Sequence, residues 1–365
     1  DIELVKEENG NLLLSVSPYR VDVQRPADIV EEVLRIYGYD NIELRDTMGS
    51  KFLAPLPKND VEKKKSVISQ VLTGKGFSEI ITNSLTKPDY TANNSCFDSS
   101  KNVVVLNKLS EDLGVMRQTL LFHGLEVLAH NINRRQTNLS FFEFGKIYQK
   151  EENGYHEEQR LSIFITGNQQ EESWLAKSQK AAFHDLATVV QMIFSKLNLT
   201  NYTTENFSDD NYSKGLRIFV QKNKEIASLG FVTKKVRNQL GIKQDILFAD
   251  IQFDALMNLK QKNITFEEIS KFPAVRRDLS LVLNKKVSFK EVETIAFKTE
   301  RKIVTAVNVF DTYEGVPLEE DQKSYSVSFI LQDNSQTLTD NVIDKTMNRL
   351  MNTYEKELNA IIKGK

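Results

Sequence analysis

Cysteine is nearly absent from this sequence, and that excludes two kinds of stabilisation. Cys96 is the only cysteine among 365 residues, so neither an internal disulfide nor a zinc site built from cysteines can form. No apolar run approaches the roughly 20 residues that a membrane-spanning helix needs, and the start shows no signal-peptide pattern. We therefore expect a cytoplasmic protein, in a reducing compartment, with no membrane partner.

A charge excess of either sign is also missing. The sequence has 48 Lys and Arg against 50 Asp and Glu, a formal net charge of −2, and its 40% hydrophobic and 27% charged residues are ordinary for a globular protein. Any contact with a nucleic acid would therefore come from a local patch. The length allows two or three domains with separate cores.

Residues 1–45 predict a small unit made of a hairpin and a helix. Two strand-like runs flank Asn9-Gly10, the preferred pair for a tight type I′ turn. Pro26 and Gly38 mark the two ends of a helix at about 27–37. Because the sequence opens directly on a strand and without Met, we expect it to be a piece of a longer chain.

The second unit, residues 46–265, predicts an α+β module. A proline-containing linker at 53–60 precedes it, and we place the boundary near residue 45. Long helical segments alternate with runs of β-branched and aromatic residues, which favours an antiparallel or mixed sheet. Helices are predicted at 60–75, 120–133 and 181–197. Strands are predicted at SEIITNSL (78–85), NVVVLN (102–107), LSFFEFGKIYQ (139–149), RLSIFITG (160–167) and FADIQF (248–253).

The third unit, residues 271–365, predicts a ferredoxin-like fold. A strand in DLSLVL is followed by a capping box, Ser288 to Glu291, that opens a helix to about Glu300. Two strands and a helix from Thr339 come next, with a short last strand at 360–362. The order is β-α-β-β-α-β, which is the ferredoxin-like order.

A cluster of acids at the start of the first helix has two interpretations. Its members are Asp22, Asp28, Glu31 and Glu32. The last three share one helix face, where like charges call for a compensating cation, and all-oxygen ligands would select Mg²⁺ or Ca²⁺. Alternatively, the acids favour the helix dipole and are neutralised by nearby Arg20, Arg25 and Arg35. The residues alone leave both readings open.

Four long stretches point to a known family. They are RVDVQRPADIVEEVLRIYGYDNI (20–42), LNKLSEDLGVMRQTLLFHGLEVLAHNINRR (106–135), LSFFEFGKIY (139–148) and FPAVRRDLSLVL (272–283). Together they resemble the C-terminal half of the bacterial phenylalanyl-tRNA synthetase β subunit. The resemblance implies the end of a winged-helix-like domain in 1–45, a non-catalytic class II synthetase module in 46–265 and a ferredoxin-fold anticodon-binding domain in 271–365. Lys108 departs from the proline that the family more often has there.

The resemblance also implies partners and cofactors. In the family the α subunit carries the active site, forms Phe-AMP from ATP and phenylalanine, and charges tRNA(Phe). The α and β subunits form an (αβ)₂ heterotetramer. By resemblance, a magnesium ion lies on the four acids and is shared with the α subunit, with a structural role.

The residues of the module predict that it has no active site of its own. A class II adenylate site needs an arginine two residues before a strand glutamate, and a second arginine after a glycine-rich strand. Phe141 stands two residues before Glu143, and no such glycine-rich strand appears. The histidines, His123, His130, His156 and His184, show no metal-binding spacing, and no Walker loop or nucleophile elbow is present.

The ferredoxin-like unit offers candidate RNA contacts. An exposed sheet face allows aromatic side chains to stack on bases and cations to meet phosphates. The candidates are Phe272, Arg276, Arg277, Phe310 and Tyr313. Their alternative role is structural, with the aromatic rings in the core and the arginines paired to acids such as Asp278.

A rival from another functional class uses the acidic cluster for catalysis. Paired carboxylates and Mg²⁺ support phosphodiester hydrolysis in a free-standing enzyme. Against this rival, the cluster lies in the smallest unit, and no His or Lys is close enough in sequence to act on a substrate.

Overall fold

The computed structural model describes residues 1–43, 59–108, 110–221, 223–259, 265–266 and 268–363. Most of the predicted linker, residues 53–58, and the predicted boundary near residue 45 lie outside these residues. The chain divides into two compact units, Asp1–Gln261 and Lys262–Lys365. No helix in the described ranges is long and apolar enough to cross a membrane.

Strands occur in both units. They are β1 (Ile2–Glu8), β2 (Asn11–Val16), β3 (Ser78–Glu79), β4 (Leu85–Thr86), β5 (Val115–Met116), β6 (Leu139–Glu151), β7 (Gly154–Thr166), β8 (Asn168–Gln170), β9 (Gln179–Lys180), β10 (Thr203–Phe207), β11 (Tyr212–Val220), β12 (Lys224–Val232), β13 (Ile246–Gln252), β14 (Val275–Asn284), β15 (Val304–Tyr313), β16 (Gln322–Leu331) and β17 (Ile361–Lys363).

The helices fall close to their predicted positions. They are α1 (Pro26–Tyr37), α2 (Val61–Gly74), α3 (Asp89–Ala92), α4 (Leu121–Ile132), α5 (Phe183–Lys196), α6 (Lys234–Gln239), α7 (Phe253–Met257), α8 (Phe289–Thr299) and α9 (Asp340–Leu358). The helices predicted at 27–37, 60–75, 120–133 and 181–197 are confirmed as α1, α2, α4 and α5. The short helices α3, α6 and α7 were not predicted.

The N-terminal hairpin and helix form as their turn residues predict. Strands β1 and β2 pair in antiparallel fashion, and Asn9 and Gly10 between them both have positive φ, at 53° and 75°, as a type I′ turn requires. Helix α1 ends at Tyr37 and is followed by Gly38, whose φ is 94° and whose N–H donates to the Leu34 carbonyl at 2.8 Å. A glycine tolerates this backbone conformation without strain.

A seven-stranded sheet organises the rest of the first unit. Its strand order is β10-β11-β12-β13-β7-β6-β3. Strand β3 pairs with β6 in parallel, and the other neighbouring strands pair in antiparallel fashion. The sequence predicted an antiparallel or mixed sheet, and the parallel pairing of β3 with β6 makes it mixed.

Apolar side chains bury both faces of this sheet. Leu72 of α2 and Phe194 of α5 pack with Ile163 of β7 on one face, and α4 covers part of the other beside Phe164 and Phe248. A Cβ added to Gly124 of α4 would lie 2.1 Å from the Phe164 ring. The glycine therefore permits the close approach of α4 to the sheet.

The second unit has the ferredoxin-like element order that the sequence predicts. Its sheet has the order β15-β16-β14-β17, all antiparallel, and α8 and α9 lie on one face. The core between helices and sheet includes Leu281, Phe329 and Tyr354. The Tyr354 hydroxyl donates to the Val292 carbonyl at 3.0 Å.

Two strand predictions in the first unit are wrong. In NVVVLN only Val104 pairs, as an isolated bridge to Val115. SEIITNSL is divided into β3 and β4. Between them, the backbone N–H of Thr82 donates to the Glu143 carboxylate at 3.2 Å rather than to a neighbouring strand. Strands β10, β11 and β12 were not predicted.

Candidate functional site

Arg20 lies between two acids of the predicted metal cluster. Its guanidinium donates to both carboxylate oxygens of Asp22, at 3.2 and 3.0 Å, and to Glu32 at 2.8 Å. These hydrogen bonds lower the pKa of Asp22 and raise that of Arg20. Arg35 makes a second contact to Glu32 at 3.2 Å. Both acids are thus neutralised from within the chain.

The other two acids have different surroundings. Asp28 accepts the backbone N–H groups of Gln24 and Arg25 at 2.9 and 2.7 Å, which lower its pKa and satisfy the start of α1. Its second oxygen meets the Arg25 guanidinium at 3.2 Å. Glu31 is exposed.

Oxygen donors suit Mg²⁺, but these acids do not converge on one position. Within the described ranges, no group of three or more His, Cys, Asp or Glu side chains is placed to hold a metal ion. The arrangement fits the second interpretation of the cluster, in which arginines and the helix start neutralise the acids. As folded, the cluster does not fit a metal ion.

Glu143, two residues after Phe141 on β6, forms a buried ion pair with Arg117. Glu143 of β6 and Arg117 have side chains only 2% and 4% exposed, with Nη1 and Oε1 3.0 Å apart. Thr82 donates to both Glu143 oxygens at 2.9 and 2.8 Å, and the Arg117 Nε donates to the Lys146 carbonyl at 2.9 Å. Both charged groups are therefore engaged in structural contacts.

Sequence reasoning missed Arg117. It lies 26 residues before Glu143, on a different segment, so no local motif joins them. One signal was available: a glutamate in the middle of an apolar strand needs a buried cation.

The histidines are distributed rather than clustered. His123 on α4 is 7% exposed, and no described group forms a hydrogen bond with its Nδ1. Burial lowers its pKa. His130, His156 and His184 are exposed. His123 and His130 both line an open groove of about 450 Å³, together with Ile81 and Val127.

On the second unit, two of the predicted RNA-contacting residues meet on the sheet face away from the helices. The Arg276 guanidinium carbon lies 5.0 Å from the centre of the Phe310 ring, within the range of a cation–π contact. Arg276 also donates to both Asp278 oxygens, at 2.8 and 3.1 Å, which raises its pKa. Arg276 and Phe310 are both at least half-exposed.

Arg277 lies on the opposite side of the sheet. It stands across from Phe329 in the register of β14 and β16, and Phe329 is buried under the helices. Side chains alternate between faces along a strand, so neighbouring Arg276 points the other way. The two arginines therefore cannot contact one ligand on the open face.

The remaining candidates, Tyr313 and Phe272, make other contacts. Tyr313 is opposite Ser324 near the end of β15, and its hydroxyl donates to the Val316 carbonyl at 2.7 Å. Phe272 is half-buried before β14, where its carbonyl accepts from the Gln332 amide at 2.7 Å.

Three family models match the chain. They describe a phenylalanyl tRNA synthetase beta chain CLM domain over residues 44–253, a ferredoxin-fold anticodon binding domain over 270–363 and a tRNA synthetase B5 domain over 1–39. The first covers more than half of the chain.

Curated relatives carry the same family name. The phenylalanine–tRNA ligase beta subunits of Bacteroides fragilis and Porphyromonas gingivalis are 41% and 35% identical over 99% of this chain and 45% of their own length. The chain thus spans less than half the length of these relatives. The beta subunit of Fusobacterium nucleatum is 31% identical over 100% of the chain and 46% of its own length.

Solved structures give a weaker likeness. The pyrrolysyl-tRNA synthetase of Desulfitobacterium hafniense aligns with a TM-score of 0.43 and 12% identity, over 54% of this chain and 68% of its own. A TM-score this low does not support a family assignment, whereas the family models and the curated relatives do. The chain belongs to the phenylalanyl tRNA synthetase beta chain family.

Proposed function

We propose that this chain is a non-catalytic part of a phenylalanine–tRNA ligase that binds tRNA(Phe) and the α subunit. The observation that carries the proposal is the match of residues 270–363 to an anticodon binding domain, next to a synthetase beta-chain match over 44–253. In this proposal the α subunit uses ATP to charge tRNA(Phe) within a cytoplasmic (αβ)₂ heterotetramer.

The proposed RNA contact centres on Arg276 and Phe310. An aromatic ring and a guanidinium plane on an exposed sheet are surfaces on which unpaired bases stack. The ion pair from Arg276 to Asp278 reduces the attraction of this site for phosphate. We therefore expect modest affinity from this unit alone, with much of the phosphate binding supplied elsewhere in the enzyme.

The proposed absence of an active site has two supports. Phe141 replaces the arginine that would hold an α-phosphate, and the oxygens of Glu143 are taken by Arg117 and Thr82. In an assay with phenylalanine, ATP and labelled pyrophosphate, the chain alone should give no exchange. Exchange by the purified chain, with no α subunit present, would contradict this part of the proposal.

We place α-subunit docking at the groove beside α4. Ile81 on its rim is 92% exposed, and Val127 and His123 continue the surface. Ile81→Asp should weaken capture of the α subunit. Leu175→Asp is the matched control, because Leu175 is also an exposed apolar residue and does not line the groove. Equal effects of the two substitutions would refute this placement.

Magnesium at Asp22, Asp28, Glu31 and Glu32, shared with the α subunit, remains a proposal drawn from the resemblance. The contacts of Arg20 with Asp22 and Glu32 add a condition, because the metal must displace Arg20 from them. No step of tRNA charging is assigned to the ion. The rival hydrolase gains no support, since three of its four acids are paired with arginines.

The test of the main proposal is binding of labelled tRNA(Phe) to the chain and to a version ending at Ser270, at two salt concentrations. Loss of cognate binding on truncation, with little loss for an unrelated tRNA, is the expected result. Equal binding by both versions would remove the RNA part of the proposal.

A further inference from the structure

A cavity of about 340 Å³ opens on the sheet of the first unit. Strands β7, β11, β12 and β13 contribute its floor, through Arg160, Arg217, Glu225 and Asp250. The aromatic side chains of Phe97, Phe207, Tyr212 and Phe248 line it as well. Most of the lining is polar, and the aromatic rings add some apolar surface beside the charged groups. Concave pockets with convergent polar groups are where proteins bind small molecules.

The charged residues that line this cavity include more acids than bases. Arg160 pairs with Glu158 at 2.9 Å and with Asp250 at 3.3 Å. Arg217 lies 3.6 Å from both Asp209 and Glu225. Two arginines are therefore shared among four carboxylates. Glu158 does not line the cavity. The charged residues that do are Asp98, Asp209, Glu225 and Asp250 against Lys101, Arg160 and Arg217, a surplus of one negative charge.

Glu225 and Asp250 are the least satisfied of these acids. Within the part of the chain that the structure describes, Glu225 has only the 3.6 Å ionic contact with Arg217, and Asp250 accepts one long hydrogen bond of 3.3 Å from Arg160. Their side chains are 33% and 22% exposed. Desolvation raises the pKa of each, and the pKa of Glu225 is raised further by the charge of Asp250. A donor entering the cavity would relieve this unfavourable burial.

The side chains that line the cavity determine which class of ligand fits. Among the described side chains no group of three His, Cys, Asp or Glu is placed to hold a metal ion. The surplus negative charge opposes the binding of a phosphate-bearing ligand. An ammonium group can instead donate to separate acids, while an apolar body packs against the aromatic walls.

We propose that this cavity binds a small organic cation, with a primary ammonium group at Glu225 and Asp250 and a compact apolar body among the surrounding aromatic rings. The site is independent of the proposed RNA contact, which lies on the other unit. It gives the module a ligand although the module lacks the groups for ATP chemistry.

Calorimetric titration of the whole chain with benzylamine and with benzyl alcohol tests the proposal, because the two probes share a shape and differ in charge. Benzylamine should bind about tenfold or more tightly than benzyl alcohol. Glu225→Gln should weaken benzylamine binding by a similar factor. Glu172→Gln, at an exposed acid outside the cavity, should leave binding unchanged.

A second variant, which is expected to bind benzylamine more tightly, separates loss of the site from misfolding. Arg217→Gln removes a cation that competes for Glu225 and Asp209, and should tighten benzylamine binding. Circular dichroism of each variant verifies the fold. Equal affinity for the two probes, no benzylamine binding in the millimolar range, or weaker binding by folded Arg217→Gln would each overturn the proposal.

Discussion

Individual arginines neutralise several acids of the first unit. Arg20 holds Asp22 and Glu32 at the start of α1, and Arg117 holds Glu143 inside the module. The first set is local, and the sequence already indicated arginine neutralisation as one of its two interpretations. The second pair joins distant segments, so only the folded chain brings it together.

Arg117→Met should destabilise the first unit strongly. Removing the cation leaves the Glu143 carboxylate buried and unpaired, a change that typically costs ~3–5 kcal/mol. Urea unfolding measures the loss. Arg134→Met, at an exposed arginine, is the control and should stay within ~0.5 kcal/mol. The double variant Arg117→Met with Glu143→Gln should recover part of the loss. A small effect of Arg117→Met alone would show that the pair is dispensable.

Arg20→Gln should increase the affinity of the acidic cluster for Mg²⁺. The substitution frees the carboxylates of Asp22 and Glu32 from their hydrogen bonds with the guanidinium, and hard oxygen ligands favour this ion. Calorimetric titration of the chain with MgCl₂ is the measurement. Lys6→Gln, which breaks an exposed ion pair to Glu8 outside the cluster, is the control. Tighter Mg²⁺ binding by the wild type than by Arg20→Gln would reject this account.

Secondary-structure elements follow the sequence where their own pattern is strong. The type I′ hairpin at Asn9-Gly10, the long helix α5 and the ferredoxin-like order of the second unit were all predictable. The strand at NVVVLN was not, because apolar β-branched residues do not ensure a pairing partner. Strands β10 to β12 were not predicted because polar residues interrupt their apolar pattern, as in TTENF of β10. Their pairing partners also lie elsewhere in the sheet.

The candidate site was less predictable than the elements. Arg276, Arg277 and Phe310 were all named, but the sequence alone treated the two arginines alike. The register of β14 and β16 separates them onto opposite faces. Such placement depends on pairing between strands rather than on local pattern.

Two helix starts in the second unit should differ in their contribution to stability. Ser288 accepts the Glu291 N–H through its hydroxyl at 3.3 Å, whereas Thr339 makes no side-chain capping bond. Ser288→Ala should therefore lower the free energy of unfolding by ~1 kcal/mol. Thr339→Ala should change it by less than ~0.5 kcal/mol. Denaturant unfolding of both variants is the comparison, and equal losses would disprove the assigned role of the cap.

At the scale of the whole molecule, the two units carry different parts of the proposed function. Most of the first unit matches the synthetase beta-chain model, and its buried charged side chains Arg117 and Glu143 pair with each other. The second matches an anticodon binding domain and leaves a guanidinium and a ring open to solvent. The central claim is therefore that tRNA(Phe) is contacted through the open sheet face of the second unit.

The most direct measurement is tRNA(Phe) affinity of the chain carrying Arg276→Ala, Phe310→Ala or Arg277→Ala. Base stacking is worth ~1–3 kcal/mol, so the first two should weaken binding by about fivefold to a hundredfold. Arg277→Ala has the same charge change on the covered side and should have little effect. Equal losses for both arginines, or no loss for Arg276 and Phe310, would contradict the account.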